Sequence, residues 1–344
     1  MPIQDKYAHR LLELDVLRGL AALMVLCFHS TTDYTNLYSP NFPPLFKFPF
    51  GRYGVDLFFM ISGFVILMTL EKTKRPLDFI VSRFSRLYPC YWAAIILTFC
   101  VVNLSHLPLF GSTLKEALIN LTMFQSWLGV HNVDDVYWTL TVELSFYSTL
   151  FLFFLTGKLK YIEIGGLVWI IVMVWYNKFS LLFHIHMPWL ILQSGLLHFG
   201  HLFLAGILFY NLKTKGHAWY RHVGLILCFV VQYIFRTDLG EPLLVGLFFV
   251  VFYLFIYGKM TWCINRPLLY LGSISYSLYL THRNIGYVMI RYLYSIHANA
   301  FIRFMVPMLC AILIASVISY CVEKPALEYI RQKYLDWRQK KKNC

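Results

Sequence analysis

The stretch LELDVLRGLAALMVLCFHST, residues 12–31, decides what kind of protein this is. It is apolar and long enough to cross a hydrocarbon core of about 30 Å. Yet it carries Asp15, Arg18 and His29. Ionisable groups are costly inside a membrane and normally face protein or a water-filled cavity. Arg18 and His29 stand eleven residues apart. Eleven steps of about 100° return to nearly the same angle, so both lie on one helix face, about 16 Å apart along the axis. Asp15 precedes Arg18 by three residues and can pair with it. The plainer alternative is a structural Asp–Arg pair with an interfacial histidine.

The rest of the 344-residue chain agrees with a membrane class. It is 59% hydrophobic and 14% charged, where soluble domains carry about 25% charged residues. Further apolar runs occur at 55–70, 89–107, 137–156, 162–177, 195–210, 223–237, 242–257, 267–283 and 302–322. Segment 178–194 leaves room for a re-entrant helix. The expected fold is all-α and polytopic, with about ten transmembrane helices. Net charge is +13, which in a soluble protein would suggest nucleic acid as a partner. With ten alternating spans, however, 21 of the 30 Lys and Arg fall on the side of the N-terminus and 8 on the other, Arg18 lying within a span. That asymmetry expects both termini in the cytoplasm, membrane lipids as surroundings and no nucleic-acid partner.

Residues 1–325 are expected to form the transmembrane domain. Residues 326–344 form a basic cytoplasmic tail, read as an amphipathic helix at the inner headgroup layer. The first run is expected to be retained rather than cleaved as a signal, because it holds Asp15 and Arg18. The eight cysteines lie mostly in apolar runs without a C-x-x-C pair, and read as small buried groups. His184, His186, His198 and His201 invite a metal. No helix with matched carboxylates accompanies them, so no metal site is expected.

Several residues could do chemistry. His29 is the natural general base near neutral pH. Glu143 lies about two turns inside the fourth run, at a depth like that of His29. It is expected to orient the imidazole, with Tyr147 at i+4 on the same face; helix-packing hydrogen bonding is the alternative. Asp56 lies near the end of the second run and can pair with Arg52 or line an acceptor site. Ser62 and Gly63 at mid-span suit close helix packing. Arg83 and Arg86, at i and i+3 in a loop before the third span, point one way and suit phosphate. Ordinary positive-inside charge explains them equally. Ser275, Tyr279 and His282, at i, i+4 and i+7, form a polar stripe that must face protein or water. Tyr276 lies beside it. Trp127, Trp138 and Trp189 can stack on sugar rings or belong to an aromatic belt. Glu323-Lys324-Pro325 reads as the end of the last span.

Six of these pieces, in order and across nearly the whole chain, resemble acyltransferase family 3, the bacterial membrane O-acetylases of cell-envelope glycans. They are Leu14-Asp15-Val16-Leu17-Arg18-Gly19 with His29, Gly54-Val55-Asp56-Leu57-Phe58-Phe59 with Ser62-Gly63-Phe64, Arg83–Pro89, Trp138–Glu143, Leu271–His282, and Glu323-Lys324-Pro325. The resemblance implies a roughly ten-helix protein of the bacterial inner membrane. The implied donor is cytoplasmic acyl-CoA, often acetyl-CoA, used as a substrate with no permanently bound cofactor. The implied acceptor is an envelope glycan, from lipopolysaccharide to exopolysaccharide.

For the residues, the resemblance implies His29 as catalytic base within an Arg-x10-His motif with Arg18. Arg83 and Arg86 are implied to bind the donor. Glu143 is marked as important without a fixed role. Asp15, Asp56, Trp138, Tyr147, Ser275, Tyr276, Tyr279 and His282 are expected to line the cavity or meet the acceptor. Transfer from His29 can be direct or pass through an acyl-histidine. Arg283-Asn284 stands where many relatives continue with proline, and is expected to loosen the outer end of that helix. The competing class is a transporter or flippase for a lipid-linked sugar or small metabolite, in which the Arg83–Arg86 turn has no natural role.

Overall fold

A computed structural model describes residues 11–38, 43–106, 110–179, 187–235, 238 and 240–343. Among the described residues there is helix and no strand. Helices α1 (Leu12–Phe28) and α2 (Tyr34–Tyr38) are joined by a π-helical turn, His29–Asp33. Then come α3 (Gly54–Lys72), α4 (Pro76–Ser105), α5 (Leu114–Asn120), α6 (Trp138–Leu155), α7 (Ile162–Phe179) and α8 (Trp189–Gln193). They are followed by α9 (Leu196–Lys215), α10 (Trp219–Phe235), α11 (Gly240–Ile256), α12 (Arg266–Thr281) and α13 (Arg283–Ser295). Helix α14 (Ala300–Ile318) passes through a second π-helical turn, Ser319–Glu323, into α15 (Lys324–Asn343).

Six helical stretches are long and apolar enough to cross a membrane: Pro49–Lys72, Pro76–Ser105, Asp135–Leu155, Leu159–Phe179, Leu196–Lys215 and Ala300–Lys341. Trp219–Phe235 and Gly240–Ile256 are shorter apolar helices. The protein is a multi-pass membrane helix bundle. Outward-facing apolar side chains such as Ile171, Leu243 and Leu313 are exposed, as expected where lipid rather than water covers the surface.

Glycines set the two tightest crossings. A Cβ on Gly63 of α3 would lie 2.1 Å from the Phe203 carbonyl oxygen, and one on Gly206 of α9 would lie 2.1 Å from that of Met60. A Cβ on Gly272 of α12 would lie 2.0 Å from the Asp15 carbonyl oxygen of α1. Such small-residue contacts bring backbones close and replace the hydrophobic drive that lipid cannot supply. Pairs α3–α9 and α1–α12 thus form the frame around which the site is built. At one corner Arg221 of α10 is buried, its Nε 2.8 Å from Glu163 Oε1. It belongs to a packed brace between α7 and α10.

Three expectations are corrected here. Arg83–Pro89 is not a loop: α4 starts at Pro76 and continues through Pro89. Pro89 costs the helix one i→i−4 bond, to the Ser85 carbonyl, which membrane helices tolerate; close by, the Tyr276 hydroxyl donates to the Leu87 carbonyl at 3.1 Å. Glu323-Lys324-Pro325 is not a helix end, since the π turn carries the helix onward. The basic tail continues α14 and packs on α4, where Tyr334 and Arg338 both bond Asp78. Finally, Arg283-Asn284 does not loosen its helix. It opens α13, a helix that hydropathy alone did not reveal. Of the segment considered for a re-entrant helix, α8 is short and residues 180–186 lie outside the described residues, His184 and His186 among them.

Candidate active site

The first π turn builds the site around His29. A π turn widens the helix by one residue per turn, and such bulges recur at functional sites. Here it brings Asp33 under the imidazole: His29 Nδ1 lies 2.8 Å from Asp33 Oδ2. Asp33 Oδ2 also accepts from the Tyr287 hydroxyl and, at 3.3 Å, from Arg283 Nε. With Nδ1–H donated to the carboxylate, Nε2 is left as the free basic nitrogen. Arg283 in turn reaches Asp135 at 2.8 Å and Asp134 at 3.9 Å. Asp134 also accepts from the Asn284 backbone N–H at 3.1 Å. Arg283-Asn284 therefore ties α13 to the segment before α6. Burial pushes the Asp134 carboxyl, which precedes the span, up to about 6, with Arg283 pulling it back down.

Around His29 lies a cavity of about 380 Å³ that also meets Asp33, Arg52, Asp56, Trp138, Glu241 and Arg283. Arg52 donates to the Tyr53 hydroxyl and to Asp238. Tyr53 and Arg52 hold the exposed Asp238 carboxylate below its usual range, the Tyr53 hydrogen bond weighing most. Asp56 is buried, and its Oδ2 has no hydrogen-bond partner among the described residues. Trp138 packs on Phe199 with ring centroids 5.3 Å apart.

A second cavity, about 120 Å³, lies toward the end of the bundle that carries α15. Arg18, Arg83, Arg86, Glu143, Tyr147, Ser275 and Tyr276 all meet it. Arg18 Nη1 lies 3.4 Å from Asp15 Oδ1. Arg86 Nη1 lies 2.5 Å from Oε1 of Glu323, which is only 1% exposed and also accepts from Ser277 at 2.7 Å. Val55 and Tyr279 line both cavities, so the two meet along one shared wall. The Tyr279 hydroxyl is fixed there by Thr139 at 2.9 Å.

The expected site residues are thus divided between two places. Glu143 is not the partner of His29. It accepts from Ser62 Oγ at 2.8 Å and from the Tyr147 hydroxyl, in the tail-side cavity. Ser62 accordingly does more than permit packing, whereas Gly63 is a packing glycine. Asp15 is buried against α12 and lines neither cavity. His282 is buried beside His29, with ring centroids 5.1 Å apart. Its Nδ1 faces the Leu278 and Tyr279 carbonyls at 3.1 and 2.9 Å. His201 bonds Gln232 at 2.5 Å, which donates to Glu241. Asp33 and Tyr287 escaped the sequence reading, and Arg283 entered it only as a loosened helix end. An acidic residue four after a candidate base was the available signal for Asp33.

A helical bundle with ionisable side chains gathered around two adjoining cavities has the architecture of a membrane-embedded enzyme. The chain belongs to acyltransferase family 3, whose model, an acyltransferase domain, matches residues 11–321. It is an O-acyltransferase, which sets aside the transporter reading. It is similar to a protein of Acidianus two-tailed virus named as an acetyltransferase, ORF330, at 26% identity over 81% of this chain and 84% of that one. It is also similar to Nodulation protein 10 of Rhizobium leguminosarum bv. viciae, at 29% identity over 40% of this chain and 42% of that one. Likeness to the exopolysaccharide production protein ExoZ of Rhizobium meliloti is 31% identity over 29% and 33% of the two chains. No solved structure matches the chain.

Proposed function

We propose that this protein transfers an acyl group, acetyl in the first instance, from cytoplasmic acyl-CoA to a hydroxyl of a cell-surface polysaccharide or lipid-linked sugar. On this reading about ten helices cross the inner membrane with both termini in the cytoplasm. The observation that carries the proposal is the shared wall at Val55 and Tyr279. It sets a cavity holding three arginines directly beside one holding an imidazole–carboxylate pair. The relatives named for acetyl transfer and for exopolysaccharide production support the choice of donor and acceptor.

The donor enters at the tail-side cavity, with its phosphates toward Arg83 and Arg86 and its thioester toward Tyr279. The acceptor enters the His29 cavity, where Trp138 offers an aromatic face and Asp56 a carboxylate with one oxygen not yet hydrogen-bonded among the described residues. His29 Nε2 takes the proton of the acceptor hydroxyl as its oxygen attacks the thioester carbonyl. Collapse breaks the carbon–sulfur bond, and the departing thiolate takes the proton back from the imidazolium. Asp33 holds Nδ1–H in place and offsets the charge that His29 gains, as carboxylates do in triads.

The test uses the full chain in nanodiscs with labelled acetyl-CoA and an envelope glycan fraction, beside His29→Ala. Loss of label transfer by at least about 10²-fold is expected for the variant. Equal transfer by both proteins would remove His29 from the mechanism, and transfer by neither would reject this donor–acceptor pair.

A further inference from the structure

The tail-side cavity is close to neutral. Arg18 is matched by Asp15, Arg86 by Glu323, and Arg83 shares its space with Glu143. An acyl-CoA carries a diphosphate and a separate 3′-phosphate, and three guanidiniums set beside three carboxylates supply little net charge to such a ligand. The balancing cations lie next door. A hollow of about 440 Å³ opens between the end of α3, the start of α4 and helix α15. Lys72, Lys74 and Arg338 line it, and both lysines are exposed. Its one lining carboxylate, Asp78, accepts from Arg338 Nη1 at 3.1 Å and from the Tyr334 hydroxyl at 2.7 Å. Its Ser82 hydroxyl accepts from Arg83 Nη2 at 3.2 Å and from Arg331 Nη2 at 3.4 Å. Arg83 also lines the tail-side cavity, so the two spaces adjoin at Ser82 and Arg83.

We propose that this hollow is the site of the phosphorylated nucleotide end of the donor, with Lys72, Lys74, Arg331 and Arg338 as its phosphate ligands. Arg83 stands at the junction, so the phosphates lie on the Arg83 side of the tail-side cavity rather than within it, and the uncharged pantetheine arm turns in past Arg83 and Arg86. The inference rests on the acyl-CoA reading above and deepens it. Two of the four ligands come from α15, beyond the residues 11–321 that define the family match. The tail thus becomes part of the substrate site rather than a membrane-surface appendage. An anionic lipid headgroup presents the same phosphate chemistry, so the test must separate the two sources.

The full chain is placed in nanodiscs of phosphatidylcholine alone. Acetyl-CoA and 3′-dephospho-acetyl-CoA are titrated by calorimetry without acceptor. Wild type is expected to bind acetyl-CoA about tenfold more tightly, the worth of one charge-assisted contact. Arg331→Gln/Arg338→Gln should lose about tenfold for acetyl-CoA and bring the two donors close together. Because loss of the Arg338–Asp78 pair can loosen α15, Lys72→Gln/Lys74→Gln is the second variant, and the same loss of discrimination is expected. Equal binding of both donors by wild type overturns the nucleotide site and leaves the donor class standing. No binding of acetyl-CoA by wild type overturns both readings. Variants that bind both donors as wild type does, but lose their preference for nanodiscs containing phosphatidylglycerol, identify a headgroup site and overturn the proposal.

Discussion

Asp33→Asn tests the arrangement around His29 most sharply. The substitution keeps the shape of the side chain and removes its charge. At 2.8 Å, an imidazolium and a carboxylate attract by about 6 kcal/mol for an effective dielectric near 20. Arg283, 3.3 Å from the same oxygen, offsets part of that, and both partners retain some solvent contact. An asparagine amide can also donate to Nδ1 and force the proton onto Nε2, leaving no base toward the acceptor. Together these effects should lower kcat by about 10²- to 10⁴-fold, or about 2.7–5.5 kcal/mol in the barrier. The fold should survive, because Arg283 keeps Asp135 at 2.8 Å and Asp134 at 3.9 Å. The assay is the initial rate of label transfer at saturating acetyl-CoA, with donor affinity measured separately and expected unchanged. Activity within about threefold of wild type would refute the reasoning. Glu143→Gln is the companion: it should alter donor affinity, and an equal collapse of kcat there would restore Glu143 as the orienting acid.

Two further predictions concern stability. Gly63→Ala places a methyl 2.1 Å from the Phe203 carbonyl oxygen, so α3 and α9 must part. A loss of about 1–3 kcal/mol is expected, read as a lower melting temperature in detergent, and an unchanged melting temperature would contradict the close crossing. Arg283→Ala strips the counter-ion from Asp33, Asp134 and Asp135, at a cost of about 3–5 kcal/mol. Asp134 is already raised to about 6 by burial with Arg283 present, and would rise further without it. A carboxyl raised above its unfolded value of about 3.9 costs stability as pH climbs from that value through the folded one. The deficit of the variant should therefore shrink near pH 5 and grow near pH 8, and a deficit independent of pH would refute the assignment.

Much of the frame could be read from hydropathy, because each apolar run expected to span the membrane falls on a helix. The polar stripe of α12 was legible as well, since helical spacing alone puts Ser275 and Tyr279 on one face. What escaped were relations that depth and period do not carry. Counting residues from helix ends set Glu143 level with His29, but it says nothing about which way each helix is turned; Glu143 faces Ser62. Asp33 was lost because α-helical periodicity ends the first run at residue 31, whereas the π turn continues it. Glu323 stands 237 residues from Arg86. Beside a lysine and a proline it reads as a terminus, and only burial reveals it as a counter-charge.

The π turns at His29–Asp33 and Ser319–Glu323 each end on a carboxylate that answers a functional group: Asp33 the imidazole at the start of its own turn, Glu323 the guanidinium of Arg86 on α4. The extra residue of a π turn is absorbed without advancing the helix beyond it. Held to regular α geometry at the same length, either turn would swing everything beyond it by about 100°. Asp33 would turn away from Arg283 and Tyr287, and Glu323 from Arg86, although every named side chain was still present. The site is therefore specified by the local winding of the helix as well as by residue identity. Two related chains that share all its motifs would differ in whether it assembles, according to whether these turns form.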